Sequence, residues 1–134
     1  MSFSHTITQG WSEGNRQLSK AVEKTANSEF NIDQPLVANA TNILVAAVLD
    51  VSQMKSLFIV ADKDCTIHTN ANNGAGGNTI ALAANVPVSW FEGCGWANPL
   101  TIDVTAIYLN NGSATDPAIV RIRALIDPTV GVAD

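Results

Sequence analysis

Short segments in which every second residue is apolar recur along the chain, separated by clusters of turn-forming residues. In the clearest segment, Ala118–Ile126, the alternate positions include Arg121 and Arg123. A period of two is the side-chain repeat of a β-strand with one buried face, whereas a helix repeats every 3.6 residues. The chain has 12 Val, 11 Ile and 11 Thr for strands and 13 Asn and 9 Gly for turns, so the sequence predicts an all-β protein.

The N-terminal segment shows the same alternation. Residues 3–11 place Phe3, Ile7 and Trp11 on one face of a predicted strand, and a predicted turn follows at residues 12–15. Arg16–Thr25 then continues as a polar strand, with a short helix as the alternative. We therefore expect two parts in the chain, an N-terminal strand or arm at residues 1–25 and a β-sandwich domain at residues 26–134.

The middle of the chain is more apolar. The run Thr41–Leu49 predicts a central strand that is covered on both faces, and a single helical turn is expected to follow it. Strands Leu57–Ala61 and Cys65–Thr69, with a tight turn between them, are expected to pair as a hairpin. The sequence of residues 50–54 is loosely repeated at residues 103–107, which indicates that the same kind of turn occurs twice.

Three further strands complete the pattern, at Thr79–Ala83, Val88–Phe91 and Thr101–Leu109. About eight short strands separated by turn signals are typical of a β-sandwich. The predicted fold class is therefore all-β, a single-domain antiparallel β-sandwich, and jelly-roll connectivity is one arrangement that fits it.

Composition excludes several classes of function. The 134 residues carry a net charge of −5 and only 14% charged residues, without the basic cluster that binds nucleic acid. No apolar run is long enough to span a membrane, and the N-terminus does not resemble a secretory signal. Neutral amide and hydroxyl groups cost less to desolvate than ions, so we expect other chains to cover part of this surface.

Few residues indicate chemistry. His5 and His68 lie in alternating strand segments without a second ligand at metal spacing, and Asp62 and Asp64 fit a turn better than a cation site. The two cysteines are 29 residues apart, and reduced thiols and a single disulfide both remain open. The sequence therefore predicts a protein that is not an enzyme, with no catalytic, cofactor-binding or metal-binding residue and no cofactor.

The aromatic residues are more informative. Trp90, Phe91 and Trp96 lie within seven residues, and burial of Trp90 and Phe91 in the core is one interpretation. The other is that Trp96, on a glycine-flanked loop, anchors a protein contact. The residues predicted for a protein interface are Phe3, Ile7, Trp11, Arg16 and Trp96.

One stretch resembles a known class of proteins. The run from Asp50 to Asn70, DVSQMKSLFIVADKDCTIHTN, is similar to the central part of head decoration (cement) proteins of tailed bacteriophages. Further similarities are Asn85-x-Pro87-Val88-x-Trp90, Asn98-Pro99, Asp103-Val104-Thr105 to Tyr108-Leu109, and Ile122-Arg123-Ala124-Leu125. The likeness covers about residues 43–127, and these are packing and turn motifs without catalytic residues.

The resemblance implies a structural virion protein on the capsid exterior that binds and bridges neighbouring major capsid subunits. It also implies self-association, with a trimer favoured over a dimer. The N-terminal segment, which holds three of the seven basic residues, would be an arm that reaches a neighbour. Neither nucleic acid nor a membrane is an expected partner. The alternatives are another phage structural component, in a tail or baseplate, and a carbohydrate-binding β-sandwich that uses Trp11 and Trp96 as stacking platforms.

Overall fold

Ten β-strands and one 3-10 turn form the computed structural model, which describes residues 2–127. The strands are β1 (Phe3–Glu13), β2 (Arg16–Ala26), β3 (Ser28–Leu36), β4 (Ile43–Val45), β5 (Met54–Ala61), β6 (Cys65–Thr69), β7 (Thr79–Leu82), β8 (Val88–Phe91), β9 (Ile107–Asn111) and β10 (Ala118–Ile126). The turn, Val51–Gln53, is capped by the Asp50 side chain, which accepts a hydrogen bond from the Ser52 amide. The predicted all-β class is confirmed.

Eight of these strands form two four-stranded antiparallel sheets. Sheet I has the order β3-β10-β5-β8 and sheet II the order β4-β9-β6-β7. Pairing is nested, because β3 pairs with β10, β4 with β9, β5 with β8 and β6 with β7. This is the order produced when one long hairpin is rolled into a sandwich, so the connectivity is that of a jelly roll.

The core lies between the inner faces of the two sheets. In β10, Val120, Ile122 and Ala124 are buried against the other sheet, while Arg121 is exposed. Sheet II contributes Ile67 from β6 and Leu109 from β9, and neither is exposed by more than 2%. The two-residue period therefore sorts the side chains as predicted, since apolar positions on both sheets meet in one layer.

The predicted central strand at Thr41–Leu49 is wrong. Only Ile43–Val45 forms a strand, β4, and it lies at the edge of sheet II. Burial still alternates along the segment, with Ala47 buried and Val48 83% exposed. The run is apolar on both faces because its outer face carries uncovered apolar residues, and not because a second layer covers it.

The predicted hairpin between β5 and β6 is also wrong, because the two strands belong to different sheets. One carboxylate oxygen of Asp62 accepts a hydrogen bond from the Ile119 amide in β10, at 2.8 Å. One of Asp64 accepts from the Ala84 amide just after β7, at 2.8 Å. The turn is thus tied to sheet I at its start and to sheet II at its end, and it carries the chain from one sheet to the other.

The two similar segments at residues 50–54 and 103–107 lie side by side. Leu49 and Val104 form an isolated antiparallel bridge, with both N–H···O distances at 2.9 Å. The Val51 amide donates to an Asp103 carboxylate oxygen at 3.0 Å. The two similar turns thus meet at one end of the sandwich.

Within residues 2–127 no helix is long and apolar enough to cross a bilayer.

The inner and outer faces of sheet II provide a test of this packing. Leu109 is fully buried in β9 and Leu44 is 59% exposed in the neighbouring strand β4. We expect Leu109→Ala to lower the free energy of unfolding by about 2–5 kcal/mol, because it leaves a cavity in the core. Leu44→Ala, as the matched control, should change it by less than about 0.5 kcal/mol. Urea denaturation measures both, and equal losses would contradict the assigned faces.

Candidate functional site

The N-terminal hairpin, β1 and β2, is a separate two-stranded sheet. Its strands pair without a bulge from Phe3 opposite Ala26 to Glu13 opposite Arg16, and the turn is Gly14–Asn15. Gly14 has φ of 54°, in the left-handed region that glycine adopts without strain. Residues 16–25, for which the sequence left a polar strand and a short helix open, thus lie in strand β2, and the alternative helix is wrong.

The base of the hairpin packs on the outer face of sheet I, in contact with β5 and β10. Buried residues outside the main core occur here, namely Ile7 and Ala26 in the hairpin and Leu125 in β10. A hydrogen bond of 2.8 Å joins His5 Nε2 to a carboxylate oxygen of Glu29 in β3. The hairpin therefore covers sheet I at its base and is attached there by both apolar and polar contacts.

Residues 8–21, which we call the hairpin tip, are exposed on both faces. At about 3.3 Å per residue, the tip extends about 20 Å beyond Ile7. Trp11 and Leu18 lie directly opposite each other and are 51% and 68% exposed. Among the residues that the structure describes, the Trp11 indole N–H has no hydrogen-bond partner. The tip thus presents an unpartnered apolar pair, next to an exposed ion pair between Glu13 and Arg16 at 3.2 Å.

A cleft of about 440 Å³ lies between the hairpin base and sheet I. We call it the hairpin cleft. One wall is the β1 segment from Ser4 to Ile7, and the floor consists of Asn31, Ser56, Phe58 and Arg123. Three of the floor residues form one row across sheet I, since Asn31 is opposite Arg123 and Arg123 is opposite Phe58. The cleft therefore combines an aromatic ring, a guanidinium group and neutral polar groups.

Arg123 is held in place by several acceptors. Its Nη1 donates to the Ile32 carbonyl at 2.9 Å and to the Ile122 carbonyl at 3.0 Å, and its Nη2 donates to Asp33 at 2.8 Å. Arg121 also approaches the same Asp33 oxygen, at 3.4 Å. The hydrogen bond from Arg123, together with the positive charges of both arginines, holds the pKa of the Asp33 carboxyl below its usual value.

Besides the hairpin tip, the outer face of sheet II is a second surface that the described chain leaves uncovered. None of the residues in β4, β6, β7 and β9 is Asp, Glu, Lys or Arg. Leu44, Tyr108, His68 and Thr79 form one row across the four strands, and His68 Nδ1 lies 2.9 Å from Thr79 Oγ1. Within the described chain no strand packs on this face, so sheet II presents a neutral surface to its surroundings.

The loop after β8 positions Trp96 beside sheet I. Its indole N–H donates to the Ser89 carbonyl at 3.1 Å, and its ring meets Phe91 edge-on at a centroid distance of 6.0 Å. The Trp90 indole N–H donates to the Trp96 carbonyl at 3.2 Å. Trp96 is still 47% exposed, whereas Phe91 is buried and Trp90 packs against the core. The loop is therefore held by two indole hydrogen bonds and an aromatic contact, while Trp96 stays partly exposed.

The predicted interface residues occupy different environments. Trp11 and Arg16 lie on the exposed tip, Phe3 is half-buried, and Ile7 is buried at the hairpin base. Leu18 and the residues of the cleft floor are not among the predicted interface residues. The signal for Leu18 was its place in the alternation of β2, and the signal for Phe58 was an aromatic residue at an outward position of β5.

The cysteines and acidic side chains have structural surroundings. Cys65 is buried in β6 and Cys94 lies in the loop after β8, and both are free thiols. Burial raises the pKa of the Cys65 thiol. Among residues 2–127, no three His, Cys, Asp or Glu side chains are grouped as metal ligands.

Comparison of the chain with protein-family models, with curated proteins and with solved structures finds no match. The geometry of its own surfaces, together with the resemblance noted in its sequence, is therefore the basis for a function.

The lowered pKa of Asp33 generates a pH prediction. Because the folded state favours the carboxylate, this group contributes stability above the pKa of an unfolded aspartate, about 3.9, and loses it as the pH falls through the lower folded value. We expect Asp33→Asn to lower the urea midpoint at pH 7 and to have a smaller effect at pH 2.5. Asp116→Asn in an exposed loop is the control. An equal effect of Asp33→Asn at both pH values would contradict the assigned role of the Arg123 contact.

Proposed function

We propose that this protein is a structural component of a phage virion that binds the outside of an assembled capsid and bridges neighbouring major capsid subunits. The observation that carries the proposal is the neutral outer face of sheet II, whose four strands contain no charged residue. Covering such a face with another protein requires no ion to be desolvated. The similarity of residues 43–127 to capsid decoration proteins supports the same function.

The two uncovered surfaces suit different contacts. The hairpin lies on sheet I, so the neutral face of sheet II is on the opposite side of the sandwich from it. With sheet II against the shell, the hairpin lies on the side of the sandwich away from the shell, where its exposed tip is free to contact a neighbouring copy. The protein would then stabilise the capsid by mass action, because it binds the assembled lattice and not the separate subunits.

The jelly-roll architecture is compatible with this use. Double-sheet jelly rolls occur in viral capsid domains and in lectins. The fold alone does not identify a function, because one architecture carries many sites. For that reason the proposal depends on the neutral face, and the carbohydrate-binding alternative depends on the partly exposed rings of Trp11 and Trp96.

A charge placed on the neutral face tests the proposal. Leu44→Lys introduces an ammonium group at a position that is 59% exposed, and Val86→Lys introduces the same group at a position that is 56% exposed in a loop. We expect Leu44→Lys to weaken binding to capsids that lack this protein by at least about tenfold, or about 1.4 kcal/mol, because the charge would have to be desolvated. Val86→Lys should bind like the unaltered protein.

Sedimentation of capsids with bound protein gives the affinities, and the loss of capsids on heating gives the stabilisation. Failure of the unaltered protein to bind capsids or to raise their heat resistance would refute the proposal. Equal binding by all three proteins would show that sheet II is not the contact face.

A further inference from the structure

The hairpin tip and the hairpin cleft are complementary in size. The Trp11 and Leu18 side chains together have about fourteen non-hydrogen atoms, and the cleft of about 440 Å³ would hold on the order of fifteen water molecules. Within residues 2–127 the apolar pair stays exposed, and the cleft has Phe58 on its floor. The cleft thus offers an aromatic surface and enough volume for the exposed Trp11 and Leu18 side chains.

The two features are also complementary in chemistry. Arg123 on the cleft floor is fixed by backbone carbonyls and Asp33, and a fixed guanidinium group is a favourable neighbour for an indole ring. Lys20 lies opposite Gln9, one step along the same face from Trp11 and Leu18. Glu29 lies beside the cleft and is bonded to His5. A tip in the cleft would therefore bring basic and acidic groups together.

A chain cannot fill its own cleft with its own tip. Ile7 lines the cleft, and Trp11 is four residues further along an unbroken paired strand, at a distance of about 13 Å. The hairpin has no bulge at which it could fold back. A tip that fills the cleft must therefore come from a second copy.

The strand edge at the cleft provides a second kind of contact. β1 pairs only with β2, so the opposite edge of β1 is unpaired within the described chain. Residues 4–7 lie at that edge and contain no proline and no lysine or glutamate, the usual protection against edge pairing. A second strand entering the cleft can hydrogen-bond to this edge while its apolar side chains contact the floor.

We propose that the hairpin tip of one copy docks in the hairpin cleft of another copy, with Trp11 and Leu18 inserted against Phe58 and Arg123. The contact joins two different surfaces, so it closes either by reciprocal exchange in a dimer or as a ring. The inference deepens the proposed function, and rests on it, because it names the neighbour that the hairpin reaches on the capsid. The contact itself is present in solution without capsids.

Two variants separate the two halves of the contact. Trp11→Ala with Leu18→Ala removes the inserted side chains and leaves the cleft intact. Asn31→Trp places a large ring in the cleft from an exposed position of β3 and leaves the tip intact. The controls are Val37→Ala with Val86→Ala, which truncates two exposed apolar residues in loops, and Ala114→Trp, which adds a ring to an exposed loop.

Sedimentation velocity over a range of concentrations measures the result. We expect the unaltered protein and both controls to form a dimer or a ring. Each variant alone should lose at least about thirtyfold in self-association, the effect of removing a central apolar anchor. A mixture of the tip variant and the cleft variant should form a one-to-one heterodimer, because one intact tip then meets one intact cleft.

A monomeric unaltered protein at several hundred micromolar would overturn the inference. Self-association by the Asn31→Trp variant alone would also overturn it, since the tips would then meet elsewhere. Circular dichroism identifies a variant that fails to fold, and Phe58→Trp is then the replacement for Asn31→Trp. An oligomer that does not bind capsids would refute the proposed function only, and a monomer that binds them would refute this inference only.

Discussion

The packing of two sheets through their inner faces is the interaction on which the rest of the structure depends. It requires apolar residues at every second position, and it leaves each sheet with an outer face that the core does not use. In sheet I that face is partly covered by the hairpin base, which buries Leu125 of β10. In sheet II no strand of the described chain covers that face, and its four strands contain no Asp, Glu, Lys or Arg. The outer face of sheet I is thus partly occupied by the chain's own hairpin, whereas the outer face of sheet II is accessible to another protein.

Asparagine side chains hold the loops that connect these sheets. The side chain of Asn70 donates to the Gly76 and Asp103 carbonyls and accepts from the Thr105 amide, so it joins the loop before β7 to the loop before β9. Asn111 is buried and donates to the Val37 and Asp116 carbonyls. An amide can satisfy several backbone groups at once without a net charge. Asn70 and Asn111 thus hold loop segments together without adding charge, alongside the carboxylates of Asp62 and Asp64.

How far the fold follows from the sequence depends on the range of the interaction. Alternation is local, and it correctly predicted β10 and the strands of the hairpin. It failed at Thr41–Leu49, because apolar residues on both faces have the same pattern whether a layer covers them or not. It also failed for β5 and β6, where the choice between pairing and crossing depends on Asp62 and Asp64 bonding to distant strands. The cleft was not foreseen, since its residues come from β1, β3, β5 and β10 and meet only through the topology.

The sequence predicted both Trp11 and Trp96 as interface residues, but the structure places them in different environments. Trp96 contributes to its own fold: its N–H is bonded to Ser89, and its ring contacts Phe91. Its partial exposure follows from its place at the rim of sheet I. Trp11 lies opposite Leu18 on the exposed hairpin tip, and no described residue is hydrogen-bonded to its indole N–H. A large apolar ring on the exposed part of the hairpin, about 13 Å beyond Ile7, is available for a contact with another chain.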